Sequence, residues 1–323
     1  MKLARWKAAL GMVCLIAALS VPAWPANSDR RSAIPGTLNY VEGQASIGDQ
    51  TLDSKAIGSA ELQAGQVLAT QNGKAEVLLT PGVFLRLGSN SSVKMISPGL
   101  TNTQLALNQG EAMLEVDEIH SQNDTRIGQP GAETHVLKTG LYNFDASNHE
   151  MRVFDGKADV LAGDHKVTVK GGHDLALNTG GKLKAQGFDK KALAESDDLY
   201  RWSSLRSEYL SEANVDTARV YIADGGYGPG WFGPGWYWNP WFGGFTFLPA
   251  DGFFYSPFGW GFFSPLVVER VPIVVGRVPH HFDGARPAPA LGDGFHNHAV
   301  RSFRGSSHMS GFRASPLARP PRG

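Results

Sequence analysis

The sequence has almost no cysteine, no net charge and few long apolar stretches. Its one cysteine, Cys14, lies within the first 26 residues, so the rest of the chain has no disulfide, thiolate metal site or cysteine nucleophile. Thirty basic and thirty acidic side chains cancel, which removes any global electrostatic attraction to nucleic acid. After residue 26, no apolar run approaches the roughly 20 residues that a membrane-spanning helix needs.

Motifs of familiar enzyme chemistry are also missing. The sequence contains no phosphate-binding loop of the GxxxxGKS kind, no HExxH zinc motif and no GxSxG nucleophile elbow. Two pairs of acids, Glu115 with Asp117 and Asp197 with Asp198, fall on a predicted strand and at a predicted helix start, where acids are usually solvated. We therefore predict a protein that is not an enzyme and uses no metal or cofactor.

The first 26 residues have the pattern of a signal peptide. Three basic residues in the first seven are followed by an apolar run from Leu10 to Val21 and by a small-residue cleavage site at Ala23–Ala26. This pattern predicts export to the periplasm, the outer membrane or the medium. The alternative is an uncleaved segment that anchors the chain in the inner membrane.

The middle of the chain has the pattern of many short strands. Between residues 64 and 93, apolar residues recur with the period of two that gives a strand one buried face. Asn72-Gly73 and Thr80-Pro81-Gly82 have the composition of tight turns, so we expect a chain reversal at each. Short strands at this density predict a β-sandwich or jelly roll over residues 34–186.

A small repeated unit supports one sheet-rich domain. It consists of glycine, a polar residue, alanine and, two positions after the alanine, an aliphatic residue. Such a unit predicts a hairpin turn at the glycine and one buried face after it. The four copies begin at Gly43, Gly73, Gly110 and Gly156.

The β region resembles the FecR domain family. The matching motifs are Leu62-x-x-Gly65-x-x-Leu68-x-Thr70, Gly73-x-Ala75-x-Val77, Gly82-x-x-Leu85-x-Leu87 with Ser92 and Val93, and then segments 107–116, 138–144 and 153–160, in order. The resemblance implies an extracytoplasmic, jelly-roll-like β domain over about residues 38–178. The best-understood members are membrane-spanning regulators that pass a receptor signal to a cytoplasmic sigma factor. Because no cytoplasmic region precedes the apolar segment, we expect a secreted, stand-alone member.

One helix is predicted after the β domain, within residues 189–214. Its apolar face has the three- and four-residue spacing of an amphipathic helix. Arg201, Arg206 and Glu208 are expected to face elsewhere. We expect the helix to pack on the edge of the β domain, and the alternative is a partner-binding helix. The apolar face comprises Leu199, Trp202, Leu205, Tyr209 and Leu210.

Residues 225–265 are rich in aromatic residues, glycine and proline, and this spacing predicts neither a long helix nor a regular strand. Three interpretations stay open. The segment binds a partner, an outer membrane or a polymer through apolar contact; it is a stacking platform for sugars; or it forms hairpins or turns that cover an exposed sheet. The candidate ligand- or partner-binding residues are Trp231, Trp236, Tyr237, Trp238, Trp241 and Trp260.

The remaining segments carry weaker signals. Residues 266–268 and 272–275 are expected to add one or two short strands. Residues 278–323 have a composition typical of a disordered basic tail, and the five histidines within it leave loose metal binding as an alternative. Scattered arginines without a basic fold argue against nucleic acid as a partner.

These features together predict a mainly β, non-catalytic protein that acts as a binding or scaffolding module in the bacterial cell envelope. Its expected partner is an envelope protein or polysaccharide, with peripheral membrane association compatible with the aromatic segment. The alternative is an envelope signal-sensing regulator that resembles the FecR regulators of sigma factors and is anchored by an uncleaved N-terminal segment. A hydrolase of envelope polymers would require a catalytic pair on the β domain.

Overall fold

The computed structural model describes residues 33–177, 183–223, 233–273 and 275–277. The predicted signal peptide, Trp231 and the predicted tail with its histidines therefore lie outside the described residues. Within the described ranges the chain is mainly β and has few helices. The mainly β fold class predicted from the sequence is thus confirmed.

The first fifteen strands precede the helices. They are β1 (Leu38–Ile47), β2 (Gln50–Thr51), β3 (Val67–Leu78), β4 (Val83–Leu87), β5 (Ser92–Pro98), β6 (Asn102–Gln109), β7 (Glu111–Val116), β8 (Asp124–Gln129), β9 (Ala132–Val136), β10 (Gly140–Asp145), β11 (Glu150–Asp155), β12 (Lys157–Ala162), β13 (His165–Lys170), β14 (His173–Ala176) and β15 (Gln186–Gly187). A 3-10 turn at Ser54–Ala56 follows β2. The later elements are α1 (Lys190–Ser196), α2 (Asp198–Ala223), β16 (Gly235–Asn239), β17 (Gly244–Leu248), β18 (Phe253–Tyr255), β19 (Gly261–Phe263) and α3 (Pro265–Arg270).

Strands β1 to β15 form one mixed sheet. Its order is β13-β12-β9-β8-β6-β5-β3-β4-β7-β10-β11-β14-β15, and β1 pairs with both β3 and β2. The pair β6–β8 is parallel, whereas its neighbours β5–β6 and β8–β9 are antiparallel. The long strand β3 joins two parts of the sheet, because its start at Val67–Ala69 pairs with β5 and its end at Ala75–Leu78 pairs with β4.

The reversal expected at Asn72-Gly73 is wrong, because both residues lie inside β3. There β3 pairs antiparallel with β1 and Gly43 lies opposite Gly73, and the register shifts between Gly43 and Ala45. A Cβ on Gly73 would lie 2.4 Å from the carbonyl oxygen of Glu42, and a Cβ on Gly43 would lie 2.1 Å from that of Asn72. The two glycines let the backbones approach closely, a requirement that has the same sequence signature as a turn.

Other expected turns are confirmed. β3 ends at Leu78 and β4 begins at Val83, so the chain reverses at Thr80–Gly82. Gly110 separates β6 from β7 with a φ of 74°, and Gly156 separates β11 from β12 with a φ of 100°. Glycine adopts such positive φ angles at little cost, which explains its place in these two copies of the repeated unit.

The main apolar core contains side chains from both parts of the sheet, the part that begins with β4 and the part that begins with β5. Leu85 and Leu114 from one part cluster with Val93, Leu105 and Val160 from the other, and all five are almost completely buried. Full burial of one such side chain contributes about 1.5–3 kcal/mol. This core explains the period of two in the sequence.

The opposite face of the central strands is buried as well. Every residue of β4 and of β10 is buried, although alternation alone predicts one solvated face. The covering layer consists of α2 and the hairpins that follow it: Phe84 packs with Leu210 and Phe247, and Met113 packs with Leu199. The helix therefore packs on a face of the sheet and not on its edge, and it extends beyond the predicted end to Ala223.

The aromatic segment forms two hairpins, β16–β17 and β18–β19, where the glycine and proline content predicted no regular strand. Cross-strand aromatic pairs such as Trp236 with Phe247 stabilise these short strands. Residues 266–268, predicted as a strand, belong to α3, since Pro265 at its first turn favours a helix start. Among the helices of the described ranges, none is both long and apolar enough to cross a membrane.

The close approach of β1 and β3 at Gly73 predicts that one added methyl group lowers the stability of the protein at this position. Gly73→Ala is expected to lower the free energy of unfolding by about 2 kcal/mol, because its Cβ would overlap the backbone of β1. Gly128→Ala in β8 is the matched control, since its Cβ would meet only ordinary contacts at 3.6 Å or more. Urea unfolding of both variants measures the difference, and equal stabilities would contradict the close approach.

Candidate binding surface

Two of the six candidate aromatics pack inward. The ring of Trp236 meets Phe84 edge-on with centroids 5.0 Å apart, and it contacts Phe247 at 5.7 Å. The ring of Trp238 meets Phe245 at 5.2 Å. These two tryptophans are half-buried and help to cover the outer face of the sheet.

Two further candidates are partly covered by other elements. Tyr237 packs edge-on against Tyr221 of α2 at 5.4 Å, and burial raises the pKa of Tyr237 to about 12. The guanidinium of Arg277 lies 5.9 Å from the centroid of the Trp260 ring, and its Nε donates to the carbonyl oxygen of Phe258 at 3.1 Å. Whether these side chains bind a ligand stays a prediction.

Trp241 differs from the other candidates because its side chain is 93% exposed. It lies in the turn between β16 and β17, and this turn is fixed. The backbone N–H groups of Trp241 and Phe242 both donate to Asn239 Oδ1, at 3.0 and 2.9 Å. Asn239 Nδ2 in turn donates to Thr217 Oγ1 at 3.0 Å and to the carbonyl oxygen of Ala213 at 3.3 Å, both on α2. The turn therefore holds an indole in solvent on a rigid support.

A second group of exposed rings lies on β18 and β19, and the sequence analysis did not select it. Phe253 and Tyr255 are 42% and 38% exposed, and Phe253 stacks on Phe263 at 5.8 Å. A Cβ on Gly261 would lie 2.7 Å from the Phe263 ring, so the glycine makes room for that ring. The alternation of Phe253 and Tyr255 around Phe254 was the available sequence signal.

Charged side chains form a network beneath α2 and the hairpins. Arg86 Nε donates to Glu76 Oε2 at 2.7 Å, and Arg86 Nη1 donates to Glu115. From α2, Arg206 Nη2 donates to Glu76 Oε1 at 2.9 Å and Ser207 Oγ donates to Glu115 Oε1 at 2.7 Å. All five residues are buried.

The structure around this network corrects three expectations from the sequence. Glu115 was expected to be solvated on its strand, and it is fully buried. Arg206 was expected to face away from the packed side of its helix, and it faces the sheet, with its guanidinium 4.0 Å above the Tyr40 ring. Leu205 and Tyr209, assigned to the apolar face, are instead 43% and 45% exposed. The buried side of α2 therefore mixes apolar residues such as Leu210 with polar residues whose charges and hydroxyls are paired there.

The ionisation of the two glutamates is set by opposing effects. Burial alone would raise the pKa of Glu76, but Arg206 and Arg86 lower it to about 2. Burial raises the pKa of Glu115 even though Arg86 and Ser207 oppose it. Glu76 is therefore the firmly ionised centre of the network, and it needs both arginines.

Asn39 connects the network to the hairpin that carries Trp241. Asn39 Nδ2 donates to Glu76 Oε1 at 2.9 Å and to the carbonyl oxygen of Phe245 at 3.0 Å. Asn39 Oδ1 accepts from the N–H of Phe245 at 2.7 Å. The exposed turn is thus attached to the sheet through buried hydrogen bonds as well as through aromatic packing.

The network predicts that two arginines on the same helix have very different effects. Arg206→Ala is expected to lower the free energy of unfolding by about 3 kcal/mol, because Glu76 stays buried with one of its two cations lost. Arg201→Ala is the matched control, since Arg201 is exposed and its loss should change stability by less than about 0.5 kcal/mol. Chemical unfolding of both variants tests this, and similar losses would count against the role of the network.

No metal-binding cluster accompanies this surface in the part of the chain that the structure describes. There, no group of three or more histidine, cysteine, aspartate or glutamate side chains is placed to hold a metal ion. The geometry instead offers exposed aromatic rings on a rigid support, which suits contact with a partner.

Comparison with known proteins finds one family match within the large sheet. Residues 66–159 match the family described as FecR protein. Two crystal structures of a putative anti-sigma factor from Parabacteroides distasonis ATCC 8503 each share 16% identity with the chain at a TM-score of 0.35. They cover 40% and 39% of this chain, which spans 62% and 61% of their length. Curated proteins give no significant match. The resemblance in the sequence is confirmed, and residues 66–159 of this chain are a FecR domain.

Proposed function

We propose that the protein is a non-catalytic FecR-domain module that binds or scaffolds a component of the bacterial cell envelope. In this proposal, residues 1–26 direct export and the large sheet folds as a jelly-roll-like β-sandwich. The family match supports a non-catalytic role, because FecR domains are generally not enzymes. The observation that carries the proposal is the fixed, fully exposed indole of Trp241.

An exposed tryptophan on a rigid turn suits binding better than folding. Its ring contributes little burial to the domain, since 93% of its surface stays in water. The hydrogen bonds from Asn239 order the turn in advance, so a partner loses less entropy when it binds. Tryptophan is also one of the residue types that are enriched at the energetic centres of interfaces.

The half-buried candidates support the same surface indirectly. Trp236 and Trp238 hold the β16–β17 hairpin on the sheet, while Trp241 projects from its tip. Phe253 and Tyr255 add a second exposed aromatic area on the neighbouring hairpin. An envelope protein or a polysaccharide whose sugar faces stack on aromatic rings fits this chemistry.

The proposal predicts that Trp241→Ala separates binding from stability. Co-sedimentation of the purified protein with isolated cell envelopes is expected to weaken about tenfold, the effect of losing a central interface residue. Its free energy of unfolding should change by less than about 0.5 kcal/mol, because the side chain is solvated. Val220→Ala, which removes a side chain that is 54% exposed on α2, is the control. Equal sedimentation of all three proteins would refute the role of Trp241.

The second candidate is a membrane-anchored sensor, which the FecR domain itself favours, because regulators of sigma factors carry this domain. Cell fractionation with N-terminal sequencing distinguishes the two. A mature terminus near Asn27 in the periplasmic, outer-membrane or secreted fraction is the expected result. An intact Met1 in the inner membrane would contradict the proposed module and support the sensor.

A further inference from the structure

A cleft of about 360 Å³ lies at the junction of α1 and α2, on the sheet side of these helices. Its walls include Lys74 from β3, Glu111 from β7, and Asp197 and Asp198 from the junction, with Leu199 as an apolar part. Asp197 has an extended backbone that ends α1 immediately before α2 begins. A change of charge in this cleft would therefore act at a joint between two helices.

Some charged side chains of the cleft take part in ion pairs and others do not. The ammonium of Lys74 lies 2.8 Å from Asp198 and 3.8 Å from Glu42, so its charge is compensated. Neither Glu111 nor Asp197 takes part in an ion pair within the described ranges of the chain. Both carboxyls therefore face the same space without a cation of their own.

Each of these two carboxyls is held in place by one hydrogen bond. Glu111 Oε1 accepts from Asn143 Nδ2 at 2.8 Å, and Asp197 Oδ1 accepts from the N–H of Tyr200 at 2.8 Å. The remaining charged groups that act on Glu111 are Asp145 on β10 and Arg152 on β11. Arg152 is engaged by Glu150 and by Asn143 Oδ1, so it compensates Glu111 only in part.

The pKa of Glu111 reflects this environment. Burial, which is the largest cause, and the negative charges of Asp197 and Asp145 together raise the pKa of Glu111 to about 7. The hydrogen bond from Asn143 and the charge of Arg152 oppose it. Glu111 thus changes its charge near neutral pH, at the place where it faces the helix joint.

We propose that Glu111 and Asp197 form a proton-sensitive contact that holds the junction of α1 and α2 against the sheet. With a proton on Glu111, only Asp197 of these two carboxyls carries a negative charge. When Glu111 ionises, two carboxylates repel each other across a partly desolvated space. This contact is independent of the aromatic surface and of its partner.

The element that responds is α1 and not α2. None of the residues of α1 is buried, and its apolar Leu193 is only partly covered. α2 is held by Arg206 and Ser207 in the buried network. Repulsion at Asp197 therefore loosens the short helix and leaves the long one in place.

The sign of the pH dependence follows from the raised pKa. An acid whose pKa is higher in the docked state favours docking while it is protonated, and this contribution is lost as the pH rises toward and through about 7. If the undocked carboxyl returns to its ordinary value of 4.5, the opening equilibrium of α1 increases about tenfold between pH 6 and pH 8.

Amide hydrogen exchange of the full chain at pH 6 and pH 8, corrected for intrinsic rates, tests this proposal. Peptides that cover α1 should lose about tenfold protection at pH 8, while peptides from the middle of α2 should not. Glu111→Gln keeps the hydrogen bond to Asn143 and mimics the protonated acid, so its α1 protection should not depend on pH. A wild-type protein with equal protection at both values, or a Glu111→Gln variant with the wild-type response, would overturn the proposal.

Two further variants keep the test decisive if Glu111→Gln unfolds. Asp197→Asn removes the repulsion but keeps a side-chain oxygen to accept from Tyr200, so the pH response should become smaller, while the burial of Glu111 maintains the rest of it. Glu42→Gln removes a carboxylate that lies beside Lys74 but does not belong to the Glu111–Asp197 contact. The pH response of α1 should therefore persist in this variant. The reverse pattern in these two variants would assign the response to Lys74 and refute the role of Glu111.

Discussion

The buried charge network around Glu76 is the interaction on which the architecture depends. An ionised carboxylate in a dry interior is costly, and two arginines from distant parts of the chain compensate it. One of them, Arg86, belongs to the sheet, whereas the other, Arg206, belongs to α2. The sheet can therefore bury its second face only when the helix supplies the missing cation. The aromatic hairpins follow, since α2 and the sheet together form the surface on which they pack.

The order of the aromatic segment depends on the same packing of α2 on the sheet. An aromatic segment rich in glycine and proline has little intrinsic order, and here it acquires order from hydrogen bonds to Asn39, Thr217 and Asn214. The rings that face inward, such as Phe245 and Phe247, complete the core. The most exposed ring, Trp241, lies on a turn that hydrogen bonds to Asn239 hold in place.

Sequence reasoning predicted the fold class and the FecR domain because both rest on local signals, namely period-two alternation and turn glycines. It failed where the decisive partner is remote. Glu115 and Arg206 have the polar character of solvent-facing residues, and only contacts across the fold reveal that they are buried together. Gly73 shows a related limit, since close approach of two backbones and a tight turn both require glycine. The six candidate aromatics were chosen by composition, which cannot distinguish a packed ring from an exposed one.

The separation of Glu76 and Arg206 along the chain, 130 residues, bears on the order in which the parts of this domain become available during synthesis. The segment that matches the family ends at residue 159, well before the cation that its outer face requires. Because the chain is synthesised from its N-terminus, Glu76 stays accessible to water until α2 has also been synthesised. The end of the family match at residue 159 is thus not the end of the folded domain. The domain also needs α2, which lies beyond that residue.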